Sequence, residues 1–237
     1  MNPNNKEIPN CSIKINKDIA YFIGVLHSDG YIYIFNDKRR NRNQIRLGLE
    51  IGTKSITMAL KFKKILQDYF GKYVHLRQRP NRTTLNLQTS INKFWDVFRN
   101  WNDGKLPDDI QGNKALFGAY LAGLIDGDGH IKIKNNIKDR LIPQCVVKIA
   151  SNRPLEDAKN LIEFHINCKV HFEFKNIGKG VNTCFYVSKK NIEFFKNYIY
   201  PNMVMPNKLN RLQNFFKLKE DGPARIRTPI SAPIRIN

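Results

Sequence analysis

Apolar residues follow two spacings along this chain, and the switch between them occurs at matching places in two separate stretches. Residues 18–34 read DIAYFIGVLHSDGYIYI, and residues 117–133 read FGAYLAGLIDGDGHIKI. In each stretch, a run with helical spacing is followed by Asp-Gly and then by the alternation typical of a strand. Aligning Asp29 with Asp128 superimposes the two patterns, which indicates an internal duplication with an offset of 99 residues.

The duplication extends well beyond these two stretches. Four further pairs of segments match in order: strands leading into loops, amphipathic helices, hairpins around polar turns, and short amphipathic helices. The pairs are 47–55 with 145–153, 56–70 with 155–166, 73–88 with 169–188, and 92–101 with 191–200. The pattern therefore predicts an α+β fold of two pseudo-symmetric αββαββα halves.

Composition changes along the chain place the boundaries of these halves. A segment rich in Asn, Asp, Gly and Pro separates the copies, and the last residues contain three prolines and no periodicity, which predicts a mobile tail. The predicted units are an N-terminal extension at 1–17, a first half at 18–101, a linker at 102–113, a second half at 114–219 that ends in a closing helix at 206–219, and a basic tail at 220–237.

The charge balance identifies a class of partner. Lys and Arg number 40 against 20 Asp and Glu, a formal net charge of +20, which favours a polyanionic partner without choosing between DNA, RNA and lipid. Apolar runs fall short of the roughly 20 residues of a membrane-spanning helix, and the first ten residues are too polar for a signal peptide. We therefore expect an intracellular protein without a membrane partner.

The cysteine and histidine patterns argue against zinc. The four cysteines form no C-x-x-C pair, and we interpret them as reduced thiols, three of them in the core. The five histidines show neither the H-E-x-x-H spacing nor that of a zinc finger.

Small residues recur four apart in both predicted motif helices. Gly123 and Gly127 form a strip without side chains on one helix face, and Gly24 and Ser28 do the same in the first copy. Glycine inside a helix costs about 1 kcal/mol relative to alanine, so the strip needs a reason. Packing against the local sheet is one, but the duplication favours close packing of the two helices around a pseudo-twofold axis.

That packing would bring two carboxylates together. Asp29 and Asp128 would face each other at two helix C-termini, where partial negative charge and mutual repulsion favour a bound cation. Gly30 and Gly129, which follow them, are predicted to be the left-handed residues that end these helices. Carboxylate, carbonyl and water oxygens are the ligands that Mg²⁺ prefers, and paired metals of this kind support phosphodiester hydrolysis. A single Asp-Gly is more often only a turn, but two at equivalent places are not explained in that way.

These residues resemble a known family. LAGLIDGDG at 121–129 differs at one position from the motif that names the LAGLIDADG homing endonucleases, and FIGVLHSDG at 22–30 is a divergent first copy. The resemblance covers residues 18–219 and is to the single-chain, two-repeat members. It implies antiparallel four-stranded sheets that form a saddle over the DNA major groove, with the motif helices packed at the interface between the halves.

The resemblance also implies an activity and its residues. An intron-encoded monomer of this type would hydrolyse both strands of a long duplex site across the minor groove and leave 3′ overhangs. Asp29 and Asp128 would be the catalytic and metal-binding residues, assisted by the backbone carbonyls of Ser28 and Gly127. Mg²⁺ is the expected ion, with Mn²⁺ or Ca²⁺ as substitutes for binding. The sixth motif position, Asp126 in one copy and His27 in the other, is expected to be structural.

Polar residues near the ends of the second strands are expected at the periphery of the active site. The resemblance points to Thr53, Lys54, Ser151 and Asn152, and more loosely to Lys208. The first motif is the weaker of the two, which puts equal cutting of the two strands in doubt.

Strand alternation gives each predicted sheet one apolar face and one basic or polar face, and two basic loops at 36–44 and 134–140 extend the second kind of surface. A single such face is usually only solvated, but the set together with the net charge favours nucleic acid. The predicted DNA contacts are Tyr31, Tyr33, Arg39, Arg40, Arg42, Gln44, Arg46, His75, Arg77, Arg79, Arg82, His130, Lys132, Lys134, Lys138, Arg140, Lys148 and Lys175.

Other functions remain open at this point. The same fold used as a group I intron RNA maturase, with its own intron RNA as partner, is the main alternative. A DNA-binding regulator is a third, for which loss of an aspartate would be expected. An intein is poorly supported because Ile236, not His, precedes Asn237. The sequence does not distinguish an organelle from an archaeal or bacterial cytoplasm.

Overall fold

The structure is a computed structural model that describes residues 13–37, 42–78, 82–91, 106–134, 143–152, 155–175 and 180–220, with the backbone alone described at 34–37, 42 and 43. Several predictions lie outside these residues: the helix at 92–101, the chain ends at 1–12 and 221–237, and the side chains of Arg39, Arg40, Arg42, Arg79, Lys138 and Arg140.

The first half begins with a motif helix and continues with two strand pairs separated by a second helix. A 3-10 turn at Thr53–Ser55 leads into the second helix. The elements are α1 (Lys17–Ser28), β1 (Gly30–Asp37), β2 (Arg42–Gly52), α2 (Ile56–Phe70), β3 (Arg77–Gln78) and β4 (Thr84–Ile91).

The second half repeats this order. A short helix in the predicted linker, α3 (Asp108–Gly112), precedes it, and its own elements are α4 (Lys114–Asp128), β5 (Gly129–Lys134), β6 (Gln144–Ser151), α5 (Glu156–Ile166), β7 (His171–Phe174) and β8 (Val181–Val187). A continuous helical segment follows, made of α6 (Ile192–Phe194), a π-helical turn (Phe195–Ile199) and a 3-10 turn (Tyr200–Asn202). The closing helix is α7 (Pro206–Glu220). The predicted element order is thus confirmed, except for the helix outside the described residues.

Each half contains one four-stranded antiparallel sheet. The strand orders are β1-β2-β4-β3 and β5-β6-β8-β7, so the two sheets have the same topology. Alternate residues of β2 (Ile45, Leu47, Leu49 and Ile51) are buried, as predicted for one apolar face per strand. The predicted α+β class with two pseudo-symmetric halves is confirmed.

The two motif helices lie at the centre of one continuous core. Both begin at an asparagine cap: the side-chain oxygen of Asn16 accepts from the Ile19 amide, and that of Asn113 accepts from the Ala115 and Leu116 amides. Residues 19–26 of α1 and 117–126 of α4 are buried without a break, because each helix has its own sheet on one side and the other helix on the other.

One local prediction was wrong. Gly129 has extended backbone, and among the described residues positive φ occurs only at Gly71 and Asn167, so Gly30 and Gly129 are not left-handed caps. Close approach explains them instead, since a Cβ on Gly30 would lie 2.5 Å from the Cα of Leu26. Within the predicted linker, residues 108–112 form α3.

Within the residues described above, no helix combines the length and the apolar character needed to cross a membrane.

Candidate metal centre and nucleic-acid interface

The motif helices touch backbone to backbone at two equivalent glycines. A Cβ on Gly24 would lie 2.1 Å from the carbonyl oxygen of Tyr120, and a Cβ on Gly123 would lie 2.3 Å from that of Tyr21. The contacts are exchanged by the 99-residue offset, so the glycines occupy the pseudo-twofold axis. No side chain could be accommodated at either position without separating the helices.

The second pair of small residues meets nearer the helix ends. A Cβ on Gly127 would lie 2.0 Å from the hydroxyl oxygen of Ser28 and 3.3 Å from a carboxylate oxygen of Asp29. The Ser28 hydroxyl is directed back into its own helix and donates to the carbonyls of Gly24 and Val25 at 3.2 and 3.1 Å. The small residues therefore let the two aspartate-bearing ends approach each other.

Reciprocal side-chain contacts connect the sixth motif position of each helix to a tyrosine of the other. The Tyr21 hydroxyl donates to Asp126 at 2.9 Å, and the Tyr120 hydroxyl lies 3.0 Å from Nδ1 of His27. The same offset of 99 residues relates both partners. The sequence comparison did not anticipate these pairs, because a tyrosine within an apolar run is usually only core.

Asp126 is an internal anchor. It is 1% exposed and accepts hydrogen bonds from the Val204 amide at 2.7 Å and the Met205 amide at 3.4 Å, in addition to the bond from Tyr21. Burial raises the pKa of its carboxyl, and these hydrogen bonds and the Lys208 ammonium act in the opposite direction. The carboxylate thereby fixes the segment that leads into α7.

Asp29 and Asp128 lie where the motif helices end. Asp29 is the C-terminal cap of α1, and Asp128 is the last residue of α4. Burial, and then the negative charge of Asp128, raise the pKa of Asp29 to about 6. Burial also raises the pKa of Asp128, which the positive charges of Lys208 and Lys175 partly offset. The structure therefore brings these two carboxylates into one electrostatically unfavourable site.

Lys208 supplies a positive charge to that site from the closing helix. Its ammonium donates to the carbonyl oxygens of Ile125, Asp126 and Gly127 at 2.7, 2.7 and 2.9 Å, so it caps the C-terminus of α4. Burial lowers its pKa, and the three neighbouring aspartates raise it. This cap counters the partial negative charge of the helix end at which Asp128 lies.

The donors at the helix ends fit a hard divalent cation. Two half-buried carboxylates disfavour each other's charge, and the candidate ligands around them are oxygens. A metal ion here would be held by Asp29 and Asp128, with the backbone carbonyls of Ser28 and Gly127 as candidate additional ligands. The Gly127 carbonyl already accepts from Lys208, and its second lone pair is the one left for an ion.

The predicted peripheral residues lie at the same end of each sheet as the aspartates. Gly30 and Gly129, which follow the motif aspartates, pair with Leu49 of β2 and Ile149 of β6. The peripheral residues come two to five positions after these strand residues. Thr53, Lys54 and Asn152 are exposed, while Ser151 is half-buried and its hydroxyl donates to the Val181 carbonyl at 3.4 Å.

The outward face of the first sheet is polar and aromatic. Tyr31 and Tyr33 lie on it with nearly parallel rings 6.2 Å apart. Register places Tyr33 beside Arg46 and Arg77 beside Asn86. The other predicted contacts of this half that the structure describes are Gln44, which is half-buried, and His75 and Arg82, which are exposed.

Part of this face was not predicted from the sequence. Asn86, Gln88 and Ser90 alternate with buried residues of β4 and pair with outward positions of β2. The Gln88 amide donates to the Tyr33 hydroxyl at 3.3 Å, and a cleft of about 410 Å³ is lined by Gln88, Arg46 and other polar residues of this face. The alternation in TLNLQTSI was the available signal.

The outward face of the second sheet is more basic. His130, Lys132 and Lys134 are exposed along β5, and Lys148 is half-buried on β6. Burial and neighbouring cations lower the pKa of His130. Lys175 follows β7 and acts on the pKa of Asp128, so this predicted DNA contact lies close to the centre.

Comparison with solved structures identifies the fold. The chain matches I-DmoI in complex with DNA and Ca with a TM-score of 0.57 and 17% identity, covering 84% of this chain and 97% of that one. It matches I-SmaMI, bound to uncleaved DNA in the presence of calcium, with a TM-score of 0.56 and 13% identity, covering 88% and 93% of the two chains. For I-LtrWI, a LAGLIDADG homing endonuclease bound to target DNA, the TM-score is 0.52 and the identity 14%, with 86% and 92% covered.

The chain therefore has the fold of the single-chain LAGLIDADG homing endonucleases, as the motif resemblance implied. No protein-family model and no curated protein matches the sequence.

Proposed function

We propose that this protein is a divalent-metal-dependent, site-specific DNA endonuclease of the homing type that acts as a single chain. The observation that carries the proposal is the pair Asp29 and Asp128, one from each half, brought together between two sheets with polar and basic outward faces. The shared fold with proteins solved on target DNA, with calcium present for I-DmoI and I-SmaMI, supports it.

In this proposal the two aspartates hold Mg²⁺, for which Mn²⁺ or Ca²⁺ can substitute in binding. A bound ion would polarise the scissile phosphate and lower the pKa of a water for attack on phosphorus. Lys208 holds the end of α4 in position and offsets negative charge beside the phosphates. Because one aspartate comes from each pseudo-symmetric half, we extend the proposal to cleavage of both strands with 3′ overhangs.

The sheet faces would supply target recognition. Arg46, Arg77 and Gln88 are side chains of the kinds that bind guanine and adenine edges in the major groove, each bidentate pair discriminating by about 1–3 kcal/mol. The lysines of β5 and β6 would hold phosphates, which position the protein without reading sequence. If the protein neutralises six to ten phosphates, raising the salt concentration from 50 to 200 mM should reduce its affinity for DNA by about three to five decades.

Asp128→Asn tests the assigned chemistry. A cleaved duplex is first selected from a randomised library in Mg²⁺, and that site is then used for kinetics and for binding in Ca²⁺. We expect cleavage to fall at least about a hundredfold, since the variant loses several kcal/mol of charge stabilisation, while binding is largely retained.

The matched control is Asp68→Asn, which removes a carboxylate from the exposed pair with Lys64 on α2 and should leave cleavage unchanged. An Asp128→Asn protein that cuts with Mg²⁺ at the normal rate would show that the chemistry is misassigned. If the library yields no preferred duplex site and a structured intron RNA binds tightly, the maturase function replaces the endonuclease.

A further inference from the structure

Three side chains that bind transition metals converge on the outward face of the second sheet. His171 and Glu173 are two residues apart on β7 and therefore point to the same face. Cys184 is the residue of β8 that pairs with His171. The ligand atoms of all three lie within 4.8 Å of one another.

We propose that His171, Glu173 and Cys184 form a binding site for a thiolate-preferring divalent cation of the Zn²⁺ class. The site shares no residue with the Asp29–Asp128 pair and differs from it in its donor atoms. It does not depend on the proposed nuclease function.

The donor set is the reason for choosing this class of ion. Imidazole nitrogen, carboxylate oxygen and thiolate sulfur are the three donors that Zn²⁺ uses, and three protein ligands leave its fourth position open. Sulfur selects Zn²⁺ over Mg²⁺, which prefers oxygen alone. An Mg²⁺ ion at the aspartates would therefore not compete for this site.

The geometry needs only small adjustments. Bonds of about 2.0–2.3 Å around a tetrahedral ion place ligand atoms about 3.5 Å apart. Nε2 of His171 already lies 3.8 Å from Oε1 of Glu173. Both side chains are between 40 and 50% exposed, at 47% and 42%, so they can rotate towards the sulfur. Cys184 is fully buried and provides the fixed point.

One of the three candidate ligands, Glu173, is already paired with a lysine ammonium. The Lys148 ammonium donates to the second carboxylate oxygen of Glu173 at 2.5 Å. Lys148 is also the residue of β6 that pairs with Cys184, so the lysine, the cysteine and His171 form one row across three strands. A metal ion would take Glu173 and release Lys148 to the outward face.

The spacing rules used on the sequence did not find this site. His171 and Cys184 are joined by strand register and not by a short motif, and a search for H-E-x-x-H or C-x-x-C cannot detect that. The expectation against zinc was based on the spacing of cysteines and histidines along the sequence.

Binding must release a proton. Burial raises the pKa of the Cys184 thiol to about 11, so the sulfur is protonated at neutral pH and loses its proton to the solvent when it binds the ion. The apparent affinity should consequently rise as the pH rises towards that pKa, by about tenfold per pH unit for the one proton released.

The test is titration of the full-length protein with Co²⁺, a spectroscopic substitute for Zn²⁺, in the presence of excess Mg²⁺. We expect one equivalent to bind with a thiolate-to-cobalt charge-transfer absorption that Zn²⁺ then abolishes. Cys184→Ser should remove this absorption. Cys145→Ser is the matched control, since it changes an equally buried thiol that packs in the hydrophobic core, and it should leave the absorption intact.

Surface variants keep the test independent of folding. His171→Ala and Glu173→Gln change partly exposed side chains and should each weaken Co²⁺ binding by at least about tenfold. Lys148→Met removes the competing ammonium and should tighten binding by up to about fivefold. The proposal is overturned if the wild-type protein shows no thiolate absorption, or if Cys145→Ser abolishes it as completely as Cys184→Ser.

Discussion

Gly123→Ala is the sharpest test of the central packing. The added Cβ would lie 2.3 Å from the Tyr21 carbonyl oxygen and 2.9 Å from the Val25 amide nitrogen. Both atoms are backbone, so no change of rotamer relieves the overlap. The motif helices must instead move apart by up to about 1 Å, since contacts at optimal separation are about 3.5–4.0 Å.

Two opposing effects set the magnitude. Alanine gains about 1 kcal/mol over glycine in a helix interior. Against this, inserting a methyl group into a packed core costs about 1–3 kcal/mol, and a gap of 0.5–1 Å along the helix crossing forfeits about a quarter to a half of each dispersion contact. We expect the packing losses to exceed the helical gain, with a net loss of about 1–3 kcal/mol in the free energy of unfolding.

Urea denaturation monitored by circular dichroism measures this loss directly. For a chain of this size each kcal/mol corresponds to about 2–4 °C in Tm. At an assay temperature at which the variant is still folded, cleavage of the selected duplex should also fall, because separating the helices separates Asp29 from Asp128. Gly112→Ala is the matched control: it places a methyl group on a helical glycine with nothing within 4 Å, and it should be neutral or slightly stabilising.

The pseudo-symmetry gives a second, stricter criterion. Gly24→Ala should cost about as much as Gly123→Ala, and the double variant should cost less than the sum, because helices already moved apart accommodate the second methyl group. A Gly123→Ala protein as stable as the wild type would refute close backbone packing as the reason for these glycines.

Three further predictions concern the surrounding contacts. In the metal-free protein, the free energy of unfolding should fall as the pH rises from about 4 to about 6. The reason is that the pKa of Asp29 is raised from 3.8 to about 6, so the folded state binds more protons than the unfolded state in this range. Asp29→Asn should flatten this slope in denaturation curves measured with chelator. Tyr21→Phe should cost about 1.5–3 kcal/mol because it removes a donor to the buried Asp126, whereas Tyr120→Phe should cost about 1 kcal/mol in the same assay. Lys208→Met should lower stability by about 1–3 kcal/mol, since three helix-end carbonyls lose a charged donor, as measured by urea denaturation.

Each of these has a control or a contradicting result. Asp68→Asn should leave the slope between pH 4 and 6 unchanged, and an unaltered slope in Asp29→Asn would contradict the assignment of the raised pKa. Equal costs for the two tyrosine variants would show that the charge on the buried acceptor is unimportant. Lys217→Met, on an exposed position of the same helix as Lys208, should be close to neutral.

The element order was predictable because both halves repeat strong local patterns. Helical spacing around Gly24 and Gly123, followed by alternation, survives in the structure almost residue for residue. The pairing of Asp29 with Asp128 was also predictable, since the duplication favours close packing of two strips of small residues that are each followed by Asp-Gly. These inferences depend on which residues are neighbours along a helix or a strand, and those neighbours follow directly from spacing in the sequence.

Contacts between distant elements were not predictable. The hydrogen bonds from Tyr21 to Asp126 and the capping of α4 by Lys208 depend on how two helices cross and where the closing helix begins. The meeting of His171 with Cys184 depends on strand register. An apolar pattern specifies which face is buried, but many crossings and registers bury the same area, and only the packed structure selects one of them.

The sequence by itself therefore determined the duplicated α+β plan and the two candidate aspartates, because helix and strand periodicity and motif spacing are local properties. The tertiary structure alone decided the roles of the remaining polar groups. Burial turned Asp126 into an anchor, a helix end gave Lys208 its partners, and register assembled the histidine, glutamate and cysteine on the second sheet. Electrostatic and hydrogen-bond energies depend on distances of a few ångströms between residues far apart in the chain, and folding sets those distances.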